Sequence, residues 1–68
     1  MLCYVQIMLD SAKEQEIFET LRDMKEVKEV HILFGEWDMM AKLELSSPEA
    51  LGSFVMEKVR PIPGVKYT

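Results

Sequence analysis

Val27-Lys28-Glu29-Val30-His31-Ile32-Leu33-Phe34-Gly35-Glu36-Trp37-Asp38-Met39-Met40-Ala41-Lys42-Leu43-Glu44 is the stretch whose reading decides the fold. In its first half Val30, Ile32 and Phe34 fall on one face, with Glu29, His31 and Leu33 on the other. In its second half Trp37, Met39, Ala41, Leu43 and then Leu45 alternate against Asp38, Met40, Lys42 and Glu44. A period of two is the period of a strand, and Gly35 interrupts the first run. The spacing therefore predicts two strands joined as a hairpin around Gly35 and Glu36.

Working outward from the hairpin, each flank supplies one more strand and one helix. Upstream, Leu2 to Leu9 alternates Cys3, Val5, Ile7 and Leu9 against Leu2, Tyr4, Gln6 and Met8. Ser11-Ala12-Lys13-Glu14 has the form of a capping box, and Ile17, Phe18, Leu21 and Met24 then fall on a single helical stripe. Lys25 and Glu26 end that helix without a glycine. Downstream, Ser46 or Ser47 caps a second helix whose first position holds Pro48, where the missing amide does no harm. Its buried stripe is expected to be Leu51, Phe54, Val55, Lys58 and Val59, and Pro61 stops it near Arg60. Pro61-Ile62-Pro63-Gly64 reads as a rigid turn, and Val65 to Thr68 as the start of a fourth strand.

The order strand, helix, strand, strand, helix, strand describes two split βαβ halves. It predicts an α+β, ferredoxin-like sandwich, a four-stranded antiparallel sheet with both helices on one face, spanning residues 1–68 as a single domain. The other sheet face is left bare. It is expected to carry Tyr4, Gln6, Met8, His31, Leu33 and Met40, with Leu2 and Lys42 beside them, and a contiguous patch of that kind marks an interaction surface. The sequence thus predicts a homodimer formed by pairing of sheets.

Size demands the same thing. A chain of 68 residues, 49% apolar and 29% charged, supports one core at most, and a core this small is marginal without a disulfide, a metal or a partner subunit. The one cysteine and one histidine can supply neither an internal bridge nor a structural zinc site. Eight Lys and Arg are scattered among twelve acids for a net charge of −4, so there is no basic patch for nucleic acid. No apolar run approaches the roughly 20 residues of a membrane span. Met1-Leu2-Cys3-Tyr4-Val5-Gln6 lacks the cationic start of a secretory signal, and an unpaired cysteine suits a reducing compartment, so the expected location is the cytoplasm.

Motifs that carry chemistry are few. The chain has no catalytic triad spacing, nucleophile elbow, P-loop or dinucleotide motif. His31 reads as a hydrogen-bonded interface residue, Cys3 as packing, and the methionines as core and interface filling. The hairpin is the exception. In Phe34-Gly35-Glu36-Trp37-Asp38 the glycine lets backbone amides approach a ligand, the indole supplies a wall, and Asp38 offers a counter-charge for an ammonium group. The same residues equally describe a plain turn in which Gly35 takes a positive φ, Trp37 packs and Asp38 bonds nearby amides, and both readings stand.

Gly35-Glu36-Trp37-Asp38 followed by Met39-Met40-Ala41-Lys42-Leu43-Glu44, together with Ile62-Pro63-Gly64-Val65-Lys66-Tyr67-Thr68, resembles the effector-binding domain of the Lrp/AsnC family. Val27-Lys28-Glu29-Val30 is also similar to the family's lead into the second strand. The resemblance runs through the whole chain in order and spacing. It implies a stand-alone sensor of small molecules, chiefly amino acids, without the helix-turn-helix that members carry before this domain. It also implies a homodimer, a ring of dimers, and modulation of full-length regulators of the same family, with no enzymatic activity and no cofactor. Gly35, Glu36, Trp37 and Asp38 match the ligand-binding hairpin, and Thr68 matches the first threonine of the final strand. Trp37 replaces the family's usual tyrosine, and the family's second threonine is absent. The alternative is a dimeric α/β-barrel protein of the same fold, working as a small enzyme through His31 or as a structural adaptor.

Overall fold

The computed structural model describes residues 1–68, apart from the side chain of Ser11, and the expected capping box at Ser11 lies outside what is described. The elements are β1 (Leu2–Leu9), α1 (Glu14–Arg22), β2 (Val27–Ile32), β3 (Met39–Glu44), α2 (Pro48–Phe54) and β4 (Val65–Tyr67). They form one antiparallel sheet in the order β2-β3-β1-β4 with two helical segments, the ferredoxin-like α+β architecture that the hydrophobic periodicity predicts.

Alternation along the strands produces the two faces. Ile7, Met39, Ala41 and Leu43 are fully buried and meet Ile17 and Leu21 from α1 and Phe54 and Val59 from the second helical segment. Two irregularities keep the alternation in phase. At the start of β2 the pairing slips by one residue, from Val27 opposite Leu43 to Glu29 opposite Lys42, and this bulge turns Val27 into the core instead of leaving it beside Glu29. A second slip separates Met8 opposite Tyr67 from Leu9 opposite Val65, so Val65 joins the core side while Tyr67 stays on the bare face.

Helix ends follow local hydrogen-bond needs. A 3₁₀ turn, Ser11–Lys13, precedes α1, and the Asp10 carboxylate accepts from the Ala12 N–H at 3.0 Å, meeting one of the orphan amides at this end. The Ser47 hydroxyl caps α2 by accepting from the Ala50 N–H at 3.1 Å, with Pro48 in the first turn. Four sequence expectations need correction. The hairpin closes between Leu33 and Asp38, whose N–H and carbonyl bond at 2.9 Å, so the turn is longer than Gly35-Glu36. Gly35 has no positive φ. Phe34 is wholly exposed at the tip instead of extending the face of Val30. Finally, the second helix is not uniform: Val55–Val59 form a π turn, in which the Arg60 N–H bonds the Val55 carbonyl at 2.9 Å, and Lys58 faces solvent.

The protomer keeps 4403 Å² of accessible surface. An unfolded chain of 7.9 kDa exposes roughly 11,500 Å², so folding buries a little over 60%, the low figure that makes small cores marginal.

Among the described residues Gly64 alone has a positive φ, +100°, and a Cβ there would sit 2.8 Å from Lys13 Cβ and 3.0 Å from Ile17 Cδ1. Gly52, within α2, has open space where a Cβ would go. Gly64→Ala is therefore expected to lower stability by about 2 kcal/mol or more, whereas Gly52→Ala should raise it by about 0.5–1 kcal/mol. Urea denaturation at a fixed protomer concentration checks both signs.

Candidate functional site

Two surfaces converge where β1 meets the hairpin. On the bare face the register sets side chains in rows. Leu2 lies opposite Glu44; Tyr4 and Glu29 flank Lys42; Gln6 and His31 flank Met40; Met8 lies opposite Tyr67. Leu2, Tyr4 and Tyr67 are each more than half exposed. Five of the six residues expected to form a dimer surface, Tyr4, Gln6, Met8, His31 and Met40, thus share one face. The sixth, Leu33, lies beyond the end of β2 in the hairpin turn.

Polar groups on this face are tied together. His31 Nε2 lies 3.0 Å from Glu29 Oε1, and Lys42 Nζ lies 3.5 Å from Glu29 Oε2. The hydrogen bond from His31, followed by the charge of Lys42, holds the Glu29 carboxyl below its ordinary range. A depressed carboxyl contributes stability above the ordinary glutamate range and loses it as pH falls through the lowered midpoint. Followed by carboxyl NMR, Glu29 should titrate below the ordinary glutamate range, and His31→Ala should move its midpoint up toward that range.

At the hairpin, Asp38 is the structural centre. Its N–H donates to the Ile7 carbonyl at 3.0 Å, its carbonyl accepts from Leu33, and its Oδ2 accepts from the Leu9 N–H at 3.0 Å. Oδ1 takes no hydrogen bond among the described residues. Asp38 and Trp37 are half-buried, whereas Gly35 and Glu36 are exposed at the tip. The five expected ligand-binding residues therefore divide. Trp37 and Thr68 line an open groove of about 550 Å³ between β1 and the second helix, and Gly35, Glu36 and Asp38 do not.

β4 pairs with β1 at Met8 and Leu9, and the groove runs beside the earlier part of β1, from Cys3 to Gln6. The groove's walls are mostly apolar, from Val5, Leu51, Val55 and Met56. Arg60 stands at its margin, its Nε donating to the Thr68 hydroxyl at 2.8 Å and its Nη1 lying 3.0 Å from Met56 Sδ. In the sequence Arg60 signals only the end of a helix before proline. Its place in the groove depends on the π turn and on the arrival of β4, neither of which has a local signature. Among the described residues no three His, Cys, Asp or Glu side chains gather into a metal-binding group.

The split βαβ sandwich leaves one sheet face bare and partly apolar, beside an open groove. Comparison with known families makes the assignment specific. Residues 2–68 match the Lrp/AsnC ligand binding domain, and the chain belongs to that family. It is 40% identical over 55 residues to an uncharacterized HTH-type transcriptional regulator of Pyrococcus furiosus, a match covering 81% of this chain and 37% of that protein. It is 32% identical over all 68 residues to the HTH-type transcriptional regulator FL11 of Pyrococcus abyssi, covering 44% of that protein. Its fold superimposes on the crystal structure of FFRP-DM1 with a TM-score of 0.92 at 32% identity, covering 97% of this chain and 88% of that one. The chain thus spans less than half the length of the regulators it matches. No helix is long and apolar enough to cross a membrane.

Proposed function

We propose that this chain is a non-enzymatic, cytoplasmic amino-acid-sensing and oligomerisation domain that modulates transcriptional regulators of the Lrp/AsnC family. Membership of a ligand-binding-domain family along residues 2–68 supports a sensing role, and the two regulators compared above support a regulatory context. The single observation that carries the site is Asp38. One oxygen of its carboxylate is fixed by the Leu9 N–H, which leaves the other free to face an ammonium group at the hairpin root. Backbone amides around Gly35 would take the carboxylate, Glu36 would sit at the rim, and Trp37 would wall the side chain, with Thr68 completing the site.

Sensing works by linkage. A ligand bridging two dimers stabilises the larger assembly, and a coupling of about 1–3 kcal/mol shifts that equilibrium 5- to 150-fold. Dimers themselves form through the face of Tyr4, Gln6, Met8, His31 and Met40. That placement leaves His31 half-exposed and paired with Glu29, an interface role and not the closed cavity a general base needs.

Melting temperature is to be measured across the twenty amino acids at millimolar concentration. At least one should raise it, and Asp38→Asn should abolish that shift relative to its own unliganded baseline; no shift with any amino acid overturns the sensing reading. Light scattering at micromolar concentration should give twice the protomer mass. Tyr4→Ala, which removes an exposed aromatic ring from that face, should weaken dimerisation roughly thirtyfold, or about 2 kcal/mol.

A further inference from the structure

β2 stands at one end of the sheet, with β3 on its inner side. Its backbone groups alternate between the two sides. Leu33 donates to the Asp38 carbonyl at 2.9 Å, and counting down by two makes His31 opposite Met40 and Glu29 opposite Lys42 the pairs that turn their N–H and C=O groups toward β3. Val30 and Ile32 therefore turn theirs outward, and no hydrogen bond among the described residues takes them up.

The two halves of this edge differ. Strand edges are ordinarily protected from other chains by bulges and charged side chains. The first half has both, in the bulge between Val27 and Glu29 and in the charges of Lys28 and Glu29. Val30-His31-Ile32-Leu33-Phe34 has no bulge, lysine or acid, and its apolar side chains stand in solvent: Ile32 is 40% exposed and Phe34 wholly so.

We infer that this half of the edge is an interface for a second copy of the chain, the two β2 strands joining antiparallel about a two-fold axis at Ile32. Complementarity selects the occupant and the register, because outward-facing residues must meet outward-facing residues. Centred on Val30, the pairing would run Ile32 onto the partner's bulge at Lys28. Centred on His31, it would set the two imidazoles against each other and Lys28 against the partner's Phe34. Centred on Ile32, it sets Ile32 against the partner's Ile32, Val30 against the partner's Phe34 and His31 against the partner's Leu33. No like charges then face each other, and the exposed apolar side chains cover one another. The axis stands perpendicular to the sheet, so the helices of both copies lie on one side and the bare faces stay open. Edge pairing thus adds to pairing through the bare face and doubles whatever assembly that face makes. It uses neither Asp38 nor the amino-acid site.

An overlap this short gives a transient contact, with a Kd of about 0.1–1 mM. In sedimentation equilibrium the mass of the full chain should double between about 10 µM and about 1 mM. Ile32→Lys, which sets two ammonium groups at the axis on a side chain already exposed, should abolish the doubling and leave the mass at the lower concentration unchanged. In a Cys3→Ala background, Ile32→Cys should form a disulfide-linked pair under mild oxidation, since residues facing across the axis lie about 5.5 Å apart at Cα. Phe34→Cys is the control: it is more exposed, but it would lie about 14 Å from its counterpart and should not cross-link. Circular dichroism confirms that each variant is folded, and the mass of the unaltered chain needs no variant. A mass constant over that range, a doubling indifferent to Ile32→Lys, or cross-linking at position 34 as fast as at position 32 overturns the proposal. A mass of one protomer at the lower concentration would overturn the bare-face dimer instead, while the doubling and the cross-link would still decide the edge.

Discussion

Asp38 holds the sheet together. Its three hydrogen bonds reach the Ile7 carbonyl, the Leu9 N–H and the Leu33 N–H, so one residue closes the hairpin and fastens it to β1. From that fastening the register follows: Met39 falls opposite Ile7, and every later pair to Glu44 opposite Leu2 is fixed in turn. A slip by one residue would send Met39, Ala41 and Leu43 out to solvent and bring Met40 and Lys42 into the core. Because a hydrogen bond to a charged acceptor contributes about 1.5–3 kcal/mol, the Asp38 carboxylate is a large share of what a domain this small has to spare. The residue that anchors the fold is also the one proposed for the ligand's ammonium group, so binding at the turn would be felt along a strand.

The two faces of the sheet have opposite chemistry for a topological reason. Both helices connect strands by crossing the same side, so all their apolar stripes are spent there, and the remaining face must manage with its own side chains. It does so in rows, with Met40 and Lys42 along β3 and the Glu29, His31 and Lys42 network beside exposed Tyr4 of β1. Such a face is wet enough to survive alone and apolar enough to be worth covering. Polar rows also fix how a second sheet can lie on it, since like charges would meet in the wrong register.

The sequence was most legible where period and burial agree. The alternation Met39, Ala41, Leu43 and the stripe Ile17, Leu21 are stated outright by residue type, and the core is built from them. Legibility failed wherever one extra residue entered. The bulge at Lys28, the slip between Met8 and Leu9 and the π turn at Val55–Val59 each insert a residue that no propensity announces, because each exists to satisfy a distant neighbour. Lys58 falls off the buried stripe for that reason: α spacing does not carry through a turn that is not α. Phe34 lies beyond the last paired residue of β2, where strand alternation no longer sets its side. The candidate hairpin could be located from glycine, aromatic and acid. The groove could not, since Arg60 and Thr68 meet only after two elements have docked.

β4 is fastened unevenly along its length. At its beginning, the Gly64 carbonyl accepts from the Asp10 N–H at 2.7 Å, and the Gly64 backbone lies where a Cβ would strike the stem of Lys13. At its end, Thr68 is reached by the Arg60 side chain across the surface. A Cβ at position 64 would push the entry of β4 away from α1, so the strand's place beside β1 is set from the helix side as much as from the sheet.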